Sequence, residues 1–297
     1  MVFEKPPGFS PPFLIHMLTP VGAPGRGLGY LGRRAWLASY LVYGPSHLTS
    51  HLIYTATDRA IVQPPDEGAQ MNGRLSPQKL TIRIDDATSV SALLLRPPGA
   101  RACLVLAHGA GAGMSHSFME AVASGLAARG VATLRYQFPY MESGSKRPDR
   151  PAVAQAAVRA AVAEAARRYP DLPLFAGGKS FGGRMTSQAQ SIAALAGVRG
   201  LAFLGFPLHP AGKPSLTRAD HLAKIGLPML FLQGTRDALA DLSLLRPVTH
   251  DLGRQASLHV IEHADHSFHV PVKSGRKDAE VMDELLGALA GWMLSLS

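Results

Sequence analysis

From residue 76 onward, short apolar runs alternate with longer amphipathic ones, the pattern of strands interleaved with helices. Residues 80–84 read Leu-Thr-Ile-Arg-Ile, a half-buried strand. Residues 91–96 predict a second strand, stopped by Pro97-Pro98-Gly99. Residues 102–107 are all apolar, as a strand covered on both faces should be. The spacing over 118–129 predicts a helix capped by Gly130, and 131–136 a strand. An alanine-rich helix over 151–169 starts on Pro151, a residue suited to a first helical turn. Further strands are predicted over 172–176, 200–206, 228–233 and 257–261, with helices over 181–194, 242–252 and 279–296. Two strands followed by this alternation predict an α/β fold with a doubly wound, mostly parallel sheet of about eight strands. Such sheets bind ligands beyond the carboxyl ends of their strands.

Residues 1–75 differ. They carry Pro6-Pro7, Pro11-Pro12, Pro20 and Pro24 with scattered glycines and little period of either kind. They read as an irregular or poorly ordered extension of a domain spanning 76–297, with one short helix over 33–43. Met71 stands just before the first regular strand. One reading makes it the natural start; the other makes the whole segment an ordinary variable tail.

Composition narrows the partners. Apolar residues make up 46% of 297 and charged residues only 17%, enough for a large core and too little charge for wholesale disorder. The net charge of +9 raises nucleic acid or a membrane as partners. The arginines are scattered and no aromatic-basic stripe occurs, so no nucleic-acid partner is expected. No run of about 18 apolar residues is present. The best candidate, 35–54, is broken by Pro45, Ser46, His47, Ser50 and His51, so no membrane partner is expected. The single cysteine, Cys103, cannot form an intrachain disulfide, and a cytoplasmic location is the expectation. Oligomeric state is not legible in the sequence.

The sharpest chemical signal is Gly178-Lys179-Ser180-Phe181-Gly182 between a predicted strand and a predicted helix. A serine hydroxyl attacks only when it projects clear of the backbone and a base takes its proton. A tight strand-to-helix turn with glycines two before and two after provides the clearance. Gly-Lys-Ser also suggests a phosphate loop, but the glycine needed five residues before Gly178 is Pro173. His108-Gly109-Ala110-Gly111-Ala112-Gly113 follows the apolar strand 102–107. Its small residues let backbone N–H groups approach a developing oxyanion, each such donor being worth about 3 kcal/mol. Phe181 supplies one such donor and Gly109 or Ala110 the other. A dinucleotide fingerprint fails at Met114, and no cofactor is expected.

The base and its orienting acid should follow in the order serine, acid, histidine. Asp237 lies just past strand 228–233 and His266 just past strand 257–261, on the same edge as Ser180. Asp241 competes for the acid role, and Asp265 reads as a residue shaping its loop. His263 and His269 flank His266 at three-residue spacing, but nothing indicates convergence, and no metal is expected. His108 reads as a loop-positioning residue and Cys103 as a small buried apolar one.

These residues carry a resemblance. Leu106 to Met114, Phe118-Met119, Phe138-Pro139-Tyr140-Met141-Glu142 and Gly177 to Met185 resemble a bacterial branch of the α/β-hydrolases. That branch is grouped with testis-expressed protein thirty and the third subunit of the non-specific-lethal histone acetyltransferase complex, near the dienelactone hydrolases. The resemblance spans about residues 76 to 296. It implies an α/β-hydrolase fold and a Ser-Asp-His triad on Ser180, Asp237 and His266. Serine stands where true dienelactone hydrolases have cysteine. The connection over 207–227 is too short for a large lid, which suits small or exposed esters. The expected function is a serine hydrolase cleaving small carboxylic esters through a Ser180 acyl-enzyme. The alternatives are a non-catalytic scaffold for protein interaction and a small amide or peptide hydrolase. Lys179, Arg184, Tyr140 and Leu208 are the expected substrate-binding residues, with Arg184, Lys179 or Lys213 attracting an anionic group.

Overall fold

The computed structural model describes residues 75–297. The helix expected over 33–43 and the start considered at Met71 lie outside the described residues. Eight strands form one sheet: β1 (Gln78–Arg83), β2 (Ser89–Leu95), β3 (Ala102–Ala107), β4 (Val131–Tyr136), β5 (Leu174–Lys179), β6 (Val198–Leu204), β7 (Met229–Gly234) and β8 (Ala256–Ile261). Their order is β1-β2-β4-β3-β5-β6-β7-β8. β2 runs antiparallel to β1 and β4, and every other pairing is parallel. This is the α/β-hydrolase fold, with the expected eight strands.

The helices are α1 (Ser117–Ala127), α2 (Pro139–Glu142), α3 (Pro151–Arg168), α4 (Phe181–Ile192), α5 (Leu242–Asp251) and α6 (Asp278–Ser295). Alternate residues of β3 sort onto two cores. Cys103, Val105 and Ala107 face Ala157, Val158 and Ala161 of α3 and Met185 of α4. Leu104 and Leu106 face Met119, Val122 and Leu126 of α1 and Leu285 and Leu289 of α6. All six β3 residues are buried, which is why this strand shows no polar alternation. Burial also pushes the Cys103 thiol up to about 12, so it behaves as a small apolar side chain, as expected.

Parallel pairing has one consequence for chemistry. β3, β5, β7 and β8 all end on the same edge of the sheet, at Ala107, Lys179, Gly234 and Ile261. The Gly-rich loop, Ser180, Asp237 and His266 follow those ends directly and are gathered along one rim. Among the described residues, no helix is long and apolar enough to cross a membrane.

Candidate active site

Ser180 is the turn itself. β5 ends one residue before it and α4 begins one residue after it. Its backbone sits at φ 49° and ψ −113°, outside the ordinary regions for a side chain with a Cβ. Two glycines make the turn passable. A Cβ on Gly178 would lie 2.3 Å from the Ala107 carbonyl oxygen, and one on Gly182 would lie 2.6 Å from that of His108. The turn is pinned by Ser180 N–H donating to Leu204 O at 3.2 Å and Arg184 N–H donating to Ser180 O at 3.1 Å.

The three residues proposed from sequence meet here. His266 Nε2 is 2.8 Å from Ser180 Oγ, and His266 Nδ1 is 2.7 Å from Asp237 Oδ2. Asp237 has no exposed side-chain surface, while His266 keeps 26% of its own. A buried carboxylate must be fully partnered. Asp237 accepts from Gln233 Nε2 and, at 2.8 Å, from Leu239 N–H, in addition to the imidazole. Because the carboxylate can only accept, Nδ1 carries the proton and Nε2 is left to accept from the serine hydroxyl. Such a chain can draw a proton off Ser180 Oγ and stabilise the imidazolium that results.

The rivals are accounted for by their own partners. Asp241 caps α5 through Ser243 N–H at 2.8 Å, which lowers its pKa. Its backbone N–H donates to His209 Nε2. Asp265 accepts from Ser267 and His269 N–H at 2.8 and 3.0 Å and so folds the loop that carries His266. His269 pairs with Asp278 at 2.6 Å, and this raises its pKa. His263 is exposed, at φ 66°, with its N–H on Thr235 Oγ1. The three histidines do not converge on one point. A second serine–histidine contact, Ser187 Oγ to His221 Nε2 at 2.7 Å, lies on α4. Ser187 is fully buried and also donates to Arg184 O, so it presents no accessible nucleophile.

The Gly-rich loop after β3 closes over the turn. The site of a Cβ on Gly109 lies 3.8 Å from Ser180 Cβ, so a side chain there would stand against the nucleophile. Phe181, at the first position of α4, has an N–H with no intrahelical acceptor. Ala110 is exposed at the loop crest. The loop is posted from β4 and α2. Gly111 N–H donates to Tyr140 Oη at 3.0 Å, Met114 N–H to Gln137 Oε1 at 2.8 Å, and Arg135 to Met114 O at 3.0 Å. His108 is a loop-positioning residue, as expected: its Nε2 accepts from Phe138 N–H at 3.1 Å and its Nδ1 lies 2.7 Å from Gly109 O. Burial holds it neutral by lowering its pKa to about 4.

Four residues expected to touch substrate fall in different places. Leu208 is fully buried in the core, which corrects the expectation that it lines the rim. Tyr140 is 4% exposed, and its hydroxyl is committed to the loop. The Lys179 ammonium is committed to the carbonyl of His266 at 2.6 Å. Arg184 alone stays available. It is half-buried one turn along α4, its Nε is enclosed without a partner, and no carboxylate pairs with it among the described residues. Gln233 was not anticipated, because a polar residue at the end of an apolar strand gives no hint of its partner. The helix α2 was missed too, since four residues carry no readable period.

A serine at a strand–helix turn, with an acid and a histidine on later strand ends of one parallel sheet, defines a hydrolase of the α/β class. The family model described as "Alpha/beta hydrolase domain" matches residues 100–294, and the chain belongs to that family. Solved structures agree on the fold. Dienelactone hydrolase from Anabaena variabilis is 18% identical with a TM-score of 0.59, covering 74% of this chain and 99% of that one. An α/β serine hydrolase without a lid from Xanthomonas campestris is 20% identical with a TM-score of 0.58, covering 73% and 95%. The esterase domain of a Rhodothermus marinus protein is 16% identical with a TM-score of 0.58, covering 74% and 99%.

The loop contacts yield one prediction. Tyr140→Phe deletes the hydroxyl that accepts from Gly111 and should cost about 1 kcal/mol of stability. Hydrogen exchange should show the Gly111 amide losing protection while the sheet amides keep theirs. Unchanged protection at Gly111 would mean that Tyr140 does not post the loop.

Proposed function

We propose that the protein hydrolyses small carboxylic esters through an acyl-enzyme on Ser180. The observation that carries the reading is the unbroken chain from Ser180 Oγ through the His266 imidazole to the buried Asp237 carboxylate, at 2.8 and 2.7 Å. Ser180 Oγ attacks the ester carbonyl carbon as its proton passes to His266 Nε2. Phe181 N–H and the N–H of Gly109 or Ala110 stabilise the oxyanion. The proton then goes to the leaving alkoxide, and the carbon–oxygen bond to the alcohol breaks. Water repeats the sequence on the acyl-enzyme, His266 again taking the proton, and releases the acid.

Three features support a small substrate. The connection from β6 to β7 contains only one short helical turn, Leu222–Lys224. The Xanthomonas campestris neighbour is itself described as lidless. Phe138, Tyr140 and Phe181 form a tight aromatic cluster beside the turn, with ring centroids 5.3 to 6.4 Å apart. The unpaired guanidinium of Arg184, with Arg218 near enough to lower its pKa further after burial has done so, supports an ester bearing a carboxylate. The finer kinship with the bacterial relatives of testis-expressed protein thirty belongs to the same proposal and rests on the sequence motifs. Proposed with it are the division at residues 75 and 76, from the change in composition there, and a cytoplasmic location, from the single cysteine.

Two measurements check it. With short p-nitrophenyl esters, Ser180→Ala and His266→Ala should each cut kcat by about a thousandfold or more. Asp237→Ala should be severely impaired, and Asp241→Ala should keep kcat while losing about 1 kcal/mol of helix-cap stability. No turnover by wild type on any short ester, or equal turnover by Ser180→Ala, would defeat the reading. Arg184→Gln should raise KM about tenfold for an ester of a dicarboxylic acid and leave its uncharged analogue unchanged. Equal effects on both esters would remove the anionic substrate class.

A further inference from the structure

Lys179 is the last residue of β5 and adjoins the nucleophile, and its side chain lies among Gly109, Gly205 and the rings of Phe118 and Phe268. The Lys179 Cγ lies 3.5 Å from where a Cβ on Gly109 would stand. Its Nζ lies 3.1 Å from the corresponding point on Gly205, a residue at φ 71° whose missing side chain also leaves room for the His266 ring at 3.4 Å. The ammonium sits 5.9 Å from the Phe118 ring centroid and 5.4 Å from that of Phe268, and these two rings stack on each other at 5.8 Å. Its one hydrogen-bond partner among the described residues is the carbonyl of His266, at 2.6 Å.

We propose that Lys179 is a positioning residue for the base: its ammonium ties the His266 carbonyl to the strand residue next to Ser180 and so holds imidazole and hydroxyl at bonding distance. The loop it tethers needs holding. It carries two residues with positive φ, His263 at 66° and Phe268 at 63°. It is also fixed by His263 N–H on Thr235 Oγ1, by turns around Asp265 and by Val270 N–H on Asp278 Oδ1, none of which ties it to the strand that leads into Ser180. A charged donor to a carbonyl is about twice as strong as a neutral one. The aromatic faces of Phe118 and Phe268 favour a cation over a neutral amine.

The tether is therefore sensitive to pH. Burial lowers the Lys179 pKa to about 8, opposed by the Asp237 and Asp265 carboxylates. Those two carboxylates and the His266 imidazole are the titratable groups facing the ammonium; Phe118, Phe268, Gly109 and Gly205 contribute none. Below pH 8 the amine is charged and the loop is held. Above it the amine becomes neutral, the bond weakens and the base loses its fixed distance. Misplacing a catalytic group by about 1 Å can cost about a hundredfold in rate.

The kinetic test rests on the ester-hydrolase reading; a second arm does not. In wild type, kcat should fall as pH rises through about 8. Lys179→Met keeps the packing between the rings and should lower kcat about ten- to a hundredfold, with KM within about threefold and the alkaline fall abolished. Lys179→Arg keeps the charge and should recover part of kcat without an alkaline fall, because a guanidinium stays protonated. A rise in KM at unchanged kcat would make Lys179 a substrate contact and overturn the proposal. A lower kcat that keeps the wild-type alkaline fall would reduce the residue to packing and also overturn it. Hydrogen-exchange protection of the amides over 265–270 reads the tether without turnover or mutation. Wild type should lose that protection between pH 7 and pH 9. Constant protection would overturn the proposal even if esters are cleaved. Lost protection in a protein that cleaves no ester would uphold the tether and count against the ester-hydrolase reading alone.

Discussion

Ser180 holds a side chain in a backbone conformation that costs about 1–3 kcal/mol, and the structure around it is arranged to enforce that conformation. β5 is central and hydrogen-bonded on both sides, which holds the strand end that leads into the turn. β3 and β6 flank it, pairing with Gly178 and with Lys179 respectively. Gly178 and Gly182 must lack side chains because the end of β3 passes within 2.3 and 2.6 Å of where those would be. The same close approach brings Gly109 against Ser180. The turn thus also lies beside the loop that holds the proposed oxyanion donors Gly109 and Ala110.

Around this turn, charge is sorted by partner. Asp237 is the buried carboxylate of the group, and it accepts from an amide, a backbone N–H and an imidazole at once. Asp241 and Asp265, exposed or half-exposed, spend their oxygens on capping and turning backbone. A carboxylate without exposed surface is stable only with donors on both oxygens. That requirement separates Asp237, the partner of the His266 imidazole, from Asp241 more firmly than chain order does. Arg184 is a half-buried cation without a carboxylate partner among the described residues, and it sits one turn from the serine.

The sheet was largely legible in the sequence. Each strand and helix expected beyond residue 76 is present, with ends displaced by three residues at most. The reason is physical: β3 and β7 are buried on both faces, β3 reads as an unbroken apolar run and β7 is apolar up to Gln233, and glycine or proline punctuates many of the ends. The meeting of Ser180, His266 and Asp237 was legible because chain order and strand ends restrict such a set to a few positions. The surrounding residues were not. Leu208, fully buried, and Tyr140, bonded through its hydroxyl to Gly111, lie near the rim in sequence but are taken up by core and loop. Lys179 read as a free cation because strand periodicity gives a side chain's face but not its partner. Gln233 was silent, since one amide in an apolar strand does not announce a carboxylate four residues on.

The proposed chemistry requires His266 to activate Ser180 and not merely to stand beside it. The direct measurement is the rate of labelling by a fluorophosphonate, with the adduct mapped by mass spectrometry. Activation by His266 should give one adduct, on Ser180, in wild type and a loss of labelling in His266→Ala. An unlabelled Ser180 in wild type, or equal labelling of the His266→Ala protein, would contradict it.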